Sequence, residues 1–472
     1  MEDYTYSTIN DAIHGVMALP SEHKEVLKKI IDSPNFQRLR HIKQLGLAEL
    51  VYPTATHNRF SHSLGTAFIA SKMIEILTHQ IHDAKDAKKD EVLKYAIIGG
   101  LLHDIGHGPF SHAFEALLKT ENNKDADNTI THTDWTLSFL KEYEDFLEHA
   151  GIDYKKLSEL ITSKEHLKAD DNLNIAADII SSQLDADRMD YLLRDSHFCG
   201  VSYGKIDLDW ILNHLTVIRE TAYPPRLGIR KKATKAVEHF LFARKLMYQN
   251  ISYHHKIRTI EILLVEFLRA ICKELSKEPS NNPSNKKPKS NLVKFLTNVG
   301  GYNKTTNKDA FINENYSYYK TLTDYDIWTL IRDISRGDPS IIKDSNLDAF
   351  KLAKILYNRD LHKNFYFPAT SLDAVEFIVK EVRDKLELKE WELFSIENKV
   401  CPYDASKDPI LVRDDYDRIF RIQEYSDLLK SIGDKVEKEG ILAISRALWD
   451  KHGAKMTKDF SKYIFFPQES DS

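Results

Sequence analysis

The chain has 472 residues, 42% of them hydrophobic and 29% charged, which is the balance of a soluble globular protein with room for a large core and two or more domains. Lys and Arg total 66 against 71 Asp and Glu; the net charge of −5 excludes a global attraction to nucleic acid and leaves a local basic patch open. Three cysteines, Cys199, Cys272 and Cys401, lie far apart; they exclude a full set of paired disulfides and a compact thiolate zinc cluster, and they suit a reducing cytoplasm. The first residues, "MEDYTYSTIN", lack the apolar core of a signal peptide. No apolar run approaches the roughly 18 residues of a membrane span, so no membrane partner is expected.

Helical periodicity dominates the chain. Val26, Leu27, Ile30 and Ile31 share one helix face. Phe68, Ile69, Met73, Ile74 and Leu77 form a second stripe, and Thr259 to Leu275 reads as a long amphipathic helix. These stripes are core packing. The composition breaks at "KEPSNNPSNKKPKSN", Lys277 to Asn291, with three prolines among Ser, Asn and Lys; it predicts a linker or loop. The expected organisation is a helical domain over 1–276, a linker over 277–291, and a smaller α+β region over 292–472. In that last region "DYDIWTLIRDIS" and "LDAFKLAKILYNRDL" read as helices, whereas "DPILVRDDYDRIFRI" and "KYIFFP" read as strands.

The stretch "GGLLHDIGHGPFSH", Gly99 to His112, carries the first chemical signal. Ile97, Ile98, Leu101 and Leu102 predict a buried helix that ends at His103 and Asp104, and Gly106, Gly108 and Pro109 break it. A buried carboxylate is costly unless it is paired or bound to a metal, and imidazole with carboxylate is a good donor set for divalent ions. Two further segments offer ligands beside apolar helices. "HNRFSHSLG" offers His62, and "QLDADRMDYLLRDS" offers Asp185, Asp187, Asp190 and Asp195, with Asp187 just off the apolar stripe. Taken singly, a core histidine or a solvated acidic face explains each of these; the order His, His-Asp, Asp is far more specific.

That order resembles the HD superfamily of metal-dependent phosphohydrolases. The blocks "NDAIHG", "FQRLRHIKQLG", "HNRFSHSLG", "LLHDIGHGPFSH", "DRMDYLLRDS" and "ARKLMYQ" narrow the resemblance to its deoxynucleoside triphosphate (dNTP) triphosphohydrolase branch, from about Asn10 to Lys256. With the motifs starting so near Met1, no SAM domain is expected ahead of them. The resemblance implies a mainly α fold built on an HD helical bundle. It also implies a divalent ion (Mn, Fe, Zn or Mg, the identity open) on His62, His103, Asp104 and Asp187.

The resemblance further implies catalytic histidines at His107, His112 and His132, with His112 as proton donor to the leaving oxygen. A surface histidine is the plain alternative for His132. Relatives usually have glutamate after that histidine; here it is Thr133, so Asp134 is expected as its substitute, and Glu115 stands where relatives carry aspartate. Phosphate contacts fall on Arg59, Arg188, Arg244 and Tyr248, and sugar contacts on Gln44, Leu45, Tyr191 and Asp195. The base-stacking tyrosine of the family is either replaced by Ser252 or shifted by one residue in "NISYHHK". A regulatory nucleotide between subunits would draw on Asn10, Asp32, Arg40, Arg230 and Lys232; a solvated loop is the bland alternative for "RLGIRKKATK". The expected partners are therefore a dNTP substrate, a nucleotide effector and further copies of the chain as a dimer or tetramer. The competing readings are a broader HD phosphohydrolase or nuclease, and a nonenzymatic nucleotide sensor.

Overall fold

The structure is a computed structural model that describes residues 7–20, 23–81, 86–119, 129–162, 172–220, 223–276, 290–302, 306–338 and 348–464. The chain opens with an antiparallel hairpin of β1 (Ser7–Asp11) and β2 (Gly15–Leu19). Short helices α1 (Lys24–Ile31) and α2 (Pro34–Gln37) lead to the long helices α3 (Arg59–Ile81) and α4 (Asp86–Leu102). Around these stand α5 (His112–Leu117), α6 (His132–Lys141), α7 (Glu144–His149), α8 (Tyr154–Thr162), α9 (Leu173–Ile180) and α10 (Ala186–Cys199). After α11 (Leu208–Asn213), strands β3 (Leu215–Glu220) and β4 (Tyr223–Arg230) precede α12 (Thr234–Met247) and α13 (His255–Leu275). Helices α14 (Asn291–Gly301), α15 (Lys308–Tyr319), α16 (Asp324–Ser335) and α17 (Asp348–Asn358) follow. The last part holds β5 (Lys363–Pro368), α18 (Leu372–Leu386), β6 (Leu393–Val400), β7 (Leu411–Arg413), β8 (Ile419–Arg421), α19 (Asp427–Ile432), β9 (Glu437–Ile444) and α20 (Arg446–Phe460).

The fold is mainly α with a smaller α+β region, as the periodicity predicts. Helix α3 is buried on nearly all sides, including Phe68, Ile69, Met73, Ile74 and Leu77, because α4 and α10 pack against it. One core runs from Met17 to Ala443, and a second, smaller one gathers Val375, Leu393, Leu442 and Phe460. Strands β7 and β8 form where expected; β7 pairs in parallel with β4, so one sheet of order β3-β4-β7-β8 joins segments far apart in the chain. "KYIFFP" is not a strand where it is described: Lys462 and Tyr463 lie in the turn that follows α20, and Ile464 after them is irregular and buried. Phe465 to Pro467 lie outside the described residues. The antiparallel sheet β5-β9-β6 lies earlier in this region. Of the linker, residues 277–289 lie outside the described residues, and Ser290 caps α14 by accepting the Val293 N–H.

The C-terminal helices hold the loop that leaves α4. Arg38 donates to the carbonyls of Leu322, Ile105 and His107, each at 2.9 Å. The Tyr319 hydroxyl donates to the Gly106 carbonyl at 2.8 Å. A Cβ on Gly106 would lie 2.3 Å from the backbone of His132 and Thr136, so only glycine lets the loop pass α6 this closely. Asp324, at the start of α16, accepts the N–H groups of Lys43 at 2.9 Å and Phe110 at 2.8 Å. Phe110 and Ser111 both have positive φ, 51° and 52°, a strained conformation that persists only where its surroundings enforce it.

Burial pushes the Asp324 carboxyl up to about 6, against the pull of those N–H groups and Lys43. The folded protein therefore binds this proton more tightly than the unfolded chain, and the group's contribution to stability falls as pH rises through about 6. Asp324→Asn removes the titration. Urea midpoints of the two proteins, compared between pH 5 and 7.5, should show wild type losing stability relative to the variant; parallel profiles would contradict this.

Candidate active site

Helix ends bring the four expected metal ligands to one place. His62 lies in the first turn of α3, His103 and Asp104 follow the last turn of α4, and Asp187 lies in the first turn of α10. His62 Nε2 is 3.0 Å from Asp187 Oδ1, and His103 Nε2 is 3.6 Å from the same oxygen. Asp104 borders the set, with Oδ1 3.4 Å from His103 Nε2 and Oδ2 3.8 Å from His62 Nε2. Two ligands about 2.1 Å from one ion, at octahedral or tetrahedral angles, stand about 3.0–3.4 Å apart, which is close to these separations. The Oδ2 of Asp104 also pairs with Arg59.

The donor atoms are prepared for a cation. His103 Nδ1–H donates to the Gly100 carbonyl at 2.8 Å, and His62 Nδ1–H donates to Asp190 at 2.7 Å. Each bond fixes the tautomer, so the neutral ring offers an Nε2 lone pair, and both Nε2 atoms are buried without a hydrogen-bond partner. Burial opposes charge on His62, yet with no cation bound the neighbouring Asp187 and Asp190 carboxylates push it up to about 10. Burial likewise opposes ionisation of Asp187, and the two facing imidazoles of His103 and His62 hold it well below the usual carboxylate range. The pocket favours positive charge between anionic carboxylates, which fits a divalent ion.

The four acids of "QLDADRMDYLLRDS" divide into separate tasks. Asp185 caps α10 by accepting the Arg188 N–H at 2.7 Å. Asp187 faces the two histidines. Asp190 anchors His62 from behind. Asp195 accepts from His57 Nε2–H at 2.7 Å, and the His57 ring stacks on Phe198 at 4.8 Å.

A second cluster sits beside the first. His107 Nε2 is 3.3 Å from Asp104 Oδ1, and the His107 ring stacks in parallel on His132 at 4.0 Å and 13°. His132 Nδ1–H donates to Glu115 Oε1 at 2.7 Å, while His112 Nδ1 lies 3.4 Å from Glu115 Oε2. Parallel rings this far apart carry their lone pairs in separate planes, so an ion bound by both would lie about 2 Å out of each plane, a poor geometry for imidazole ligation. The arrangement suits proton handling instead. Burial opposes a charged Glu115, but hydrogen bonds from His112 and His132 and the nearby His107 hold it far below the usual range. Burial, then Arg59 and His132, push His107 well below the ordinary imidazole value.

Asp134 does not take the relay position. Its carboxylate accepts the Thr131 N–H at 2.8 Å in a capping box for α6, and it pairs with Lys308 at 2.8 Å. Glu115 holds His132 in its stead. The T-x-x-D pattern of "THTD" was the available signal. His112 is the outward member, its side chain 71% exposed.

Among the residues expected to contact a substrate, Arg59 is buried and donates to Ser111 Oγ from Nε and Nη2 at 2.9 and 2.7 Å. Arg188 bonds Ser182 and Asp185, and Arg244 donates to Gln183 at 2.9 Å beneath the Tyr248 ring. The Tyr191 hydroxyl, Gln44 Oε1 and Arg244 Nε are buried without partners. Leu45 lies partly buried against the core. Tyr248 opens a π-helical turn, Tyr248–Ser252. Asn10, Asp32, Arg40, Arg230 and Lys232 are all exposed, and among the described residues no hydrogen bond or ion pair joins any two of them.

Comparison with known proteins agrees with this geometry. The HD domain family model matches residues 59–195, bounded by Arg59 and Asp195 of the site. An uncharacterized protein of Methanocaldococcus jannaschii is 38% identical over 270 residues, 57% of this chain and 50% of that protein. The deoxynucleoside triphosphate triphosphohydrolase SAMHD1 homolog of Dictyostelium discoideum is 35% identical over 265 residues, 55% of this chain and 48% of that protein. This chain thus spans about half the length of the curated relatives it matches. The crystal structure of a phosphohydrolase from Bacteroides thetaiotaomicron superposes with a TM-score of 0.72 at 27% identity, covering 93% of this chain and 100% of that one. Residues 59–195 thus match the HD domain family model, and over about half its length the chain resembles the deoxynucleoside triphosphate triphosphohydrolases.

Proposed function

We propose that this chain is a metal-dependent dNTP triphosphohydrolase that releases a deoxynucleoside and inorganic triphosphate. The observation that carries this reading is the pair of inward-anchored histidines, His62 and His103, whose free Nε2 atoms face Asp187 beside a cluster of arginines and histidines. The proposed metal ligands are His62, His103, Asp104 and Asp187. When bound, a divalent ion supplies Lewis acidity toward a phosphoryl oxygen.

The chain's own groups account for the rest. Arg59, Arg188 and Arg244 now bond carboxylate, hydroxyl, amide and carbonyl oxygens, the acceptor chemistry that a phosphate oxygen repeats. Three such cations match a polyphosphate of about four negative charges. Attack of water at the α-phosphorus forms the new P–O bond and breaks the one to the sugar's 5′ oxygen; the leaving oxygen takes a proton from His112, and the proton that the water gives up passes to solvent and restores that histidine. Glu115, held ionised, orients His132 and through the stacked rings His107. Tyr191 and Asp195 lie i,i+4 on α10 and take the 3′-hydroxyl; Gln44 and Leu45 border the sugar, and Tyr248 the phosphates. The π-helical turn takes one residue more than an α turn, which favours the shifted alternative, with Tyr253 facing the base. Residues 1–276 form the proposed catalytic unit and 292–472 brace it. The proposed effector contacts remain Asn10, Asp32, Arg40, Arg230 and Lys232, completed by another copy in a dimer or tetramer. Among the described residues no helix is long and apolar enough to cross a membrane; the proposed location is the cytoplasm, which the three scattered cysteines suit.

Two measurements test the reading. Purified protein incubated with each dNTP and NTP, singly and in mixtures with Mn²⁺ or Mg²⁺, should yield deoxynucleoside and triphosphate, and chelation should abolish turnover. Monophosphate with pyrophosphate, or shortened nucleic acid, would instead point to a broader phosphohydrolase or nuclease. Second, Glu115→Gln should lower kcat by about 10²-fold or more and leave bound metal unchanged on elemental analysis. Full activity, or loss of metal, would contradict the relay.

A further inference from the structure

Beyond Asn10, the "NDAIHG" block has no part in the reading above, yet its side chains reach the back of the metal site. It forms the tip of the β1–β2 hairpin. Ala12, Gly15 and Val16 face solvent, whereas the His14 and Asp11 side chains turn inward, 4% and 6% exposed. His14 Nε2–H donates to Asp190 Oδ1 at 2.7 Å. Asp190 is fully buried, and its other oxygen accepts His62 Nδ1–H at 2.7 Å. Arg194 fills the remaining positions, donating from Nε to Oδ2 at 2.8 Å and from Nη2 to Oδ1 at 2.9 Å.

Asp11 closes the ring. Its Oδ2 accepts from Arg194 Nη1 at 2.8 Å, and its Oδ1 accepts the Ile13 and His14 N–H groups at 2.8 and 3.1 Å. The same carboxylate therefore shapes the hairpin tip and fixes the arginine. Room for this ring is made by Gly65 on α3, where a Cβ would fall 1.9 Å from Asp190 Oδ1. Four donors from three elements leave Asp190 one orientation, and that orientation aims the His62 ring.

We infer that the hairpin tip, through His14 and Asp11, positions Asp190 and so holds His62 in its metal-binding pose. The inference rests on the proposed metal site, and His14 and Asp11 are positioning residues that touch neither metal nor substrate. A carboxylate or amide behind a ligating histidine is commonly worth about 10–100-fold in metal affinity. Removing one of its four donors should fall at the low end of that range.

The test titrates the full-length protein with Mn²⁺ and reads free Mn²⁺ by electron paramagnetic resonance, with thermal melting in parallel. His62→Ala should lose the site. His14→Ala should raise the Mn²⁺ Kd about tenfold, His14→Gln, which keeps a donor, should restore most of it, and saturating Mn²⁺ should recover kcat in the alanine variant. If His62→Ala binds as wild type does, the metal assignment fails and takes this inference with it. If His62→Ala loses the ion but His14→Ala binds normally, even with a lowered Tm, the hairpin is only structural and this inference alone is overturned. Should His14→Ala not fold, the isosteric Asp11→Asn decides: a raised Mn²⁺ Kd supports the inference, and an unchanged one overturns it.

Discussion

His62 and His103 each donate an Nδ1 proton away from the pocket, one to Asp190 and one to the carbonyl of Gly100, and turn their Nε2 lone pairs toward the same space. Most of the surrounding structure keeps those two bonds in place. The last turn of α4 has to be buried for the Gly100 carbonyl to be dry and available, so Ile97, Ile98, Leu101 and Leu102 are core residues. Helix α10 has to lie against α3 for Asp190 to reach His62, and Gly65 supplies the gap.

Burying so many ionisable groups is costly unless each finds a partner. Here they are arranged as linked pairs rather than as isolated charges. Asp11, Arg194 and Asp190 form one chain behind His62; Glu115 gathers His132 and His112 on the far side of His107. Asp104 lies where the two meet, touching Arg59, His103 and His107. A change at one group is therefore felt along the set, and single substitutions here are not expected to act additively.

Much of the site was legible in the chain. The ligand positions follow from apolar stripes that end at His or Asp, because a helix end is where a buried stripe can present a polar group. The support behind them was not. His14 and Asp190 are separated by 176 positions, and Arg38 reaches Leu322 across 284; no local period encodes such pairs. Asp134 was misread because an acid three residues after threonine is equally a cap and a relay partner, and burial of Glu115 decides between them. The strands β5, β6 and β9 carry no signal that sets them apart from "KYIFFP", whose described residues Lys462 to Ile464 are not a strand, because a short apolar run has the same pattern in a sheet and outside one. The π-helical turn after Tyr248 is a one-residue excess that composition cannot show.

The central claim is that one divalent ion is shared by His62, His103, Asp104 and Asp187. Crystals grown with Mn²⁺ and measured at an energy where manganese scatters anomalously test it directly. The account predicts a peak about 2.0–2.2 Å from both Nε2 atoms and from a carboxylate oxygen of each aspartate. A peak on Glu115 and His132 instead, or none in protein that turns over its substrate, would contradict it.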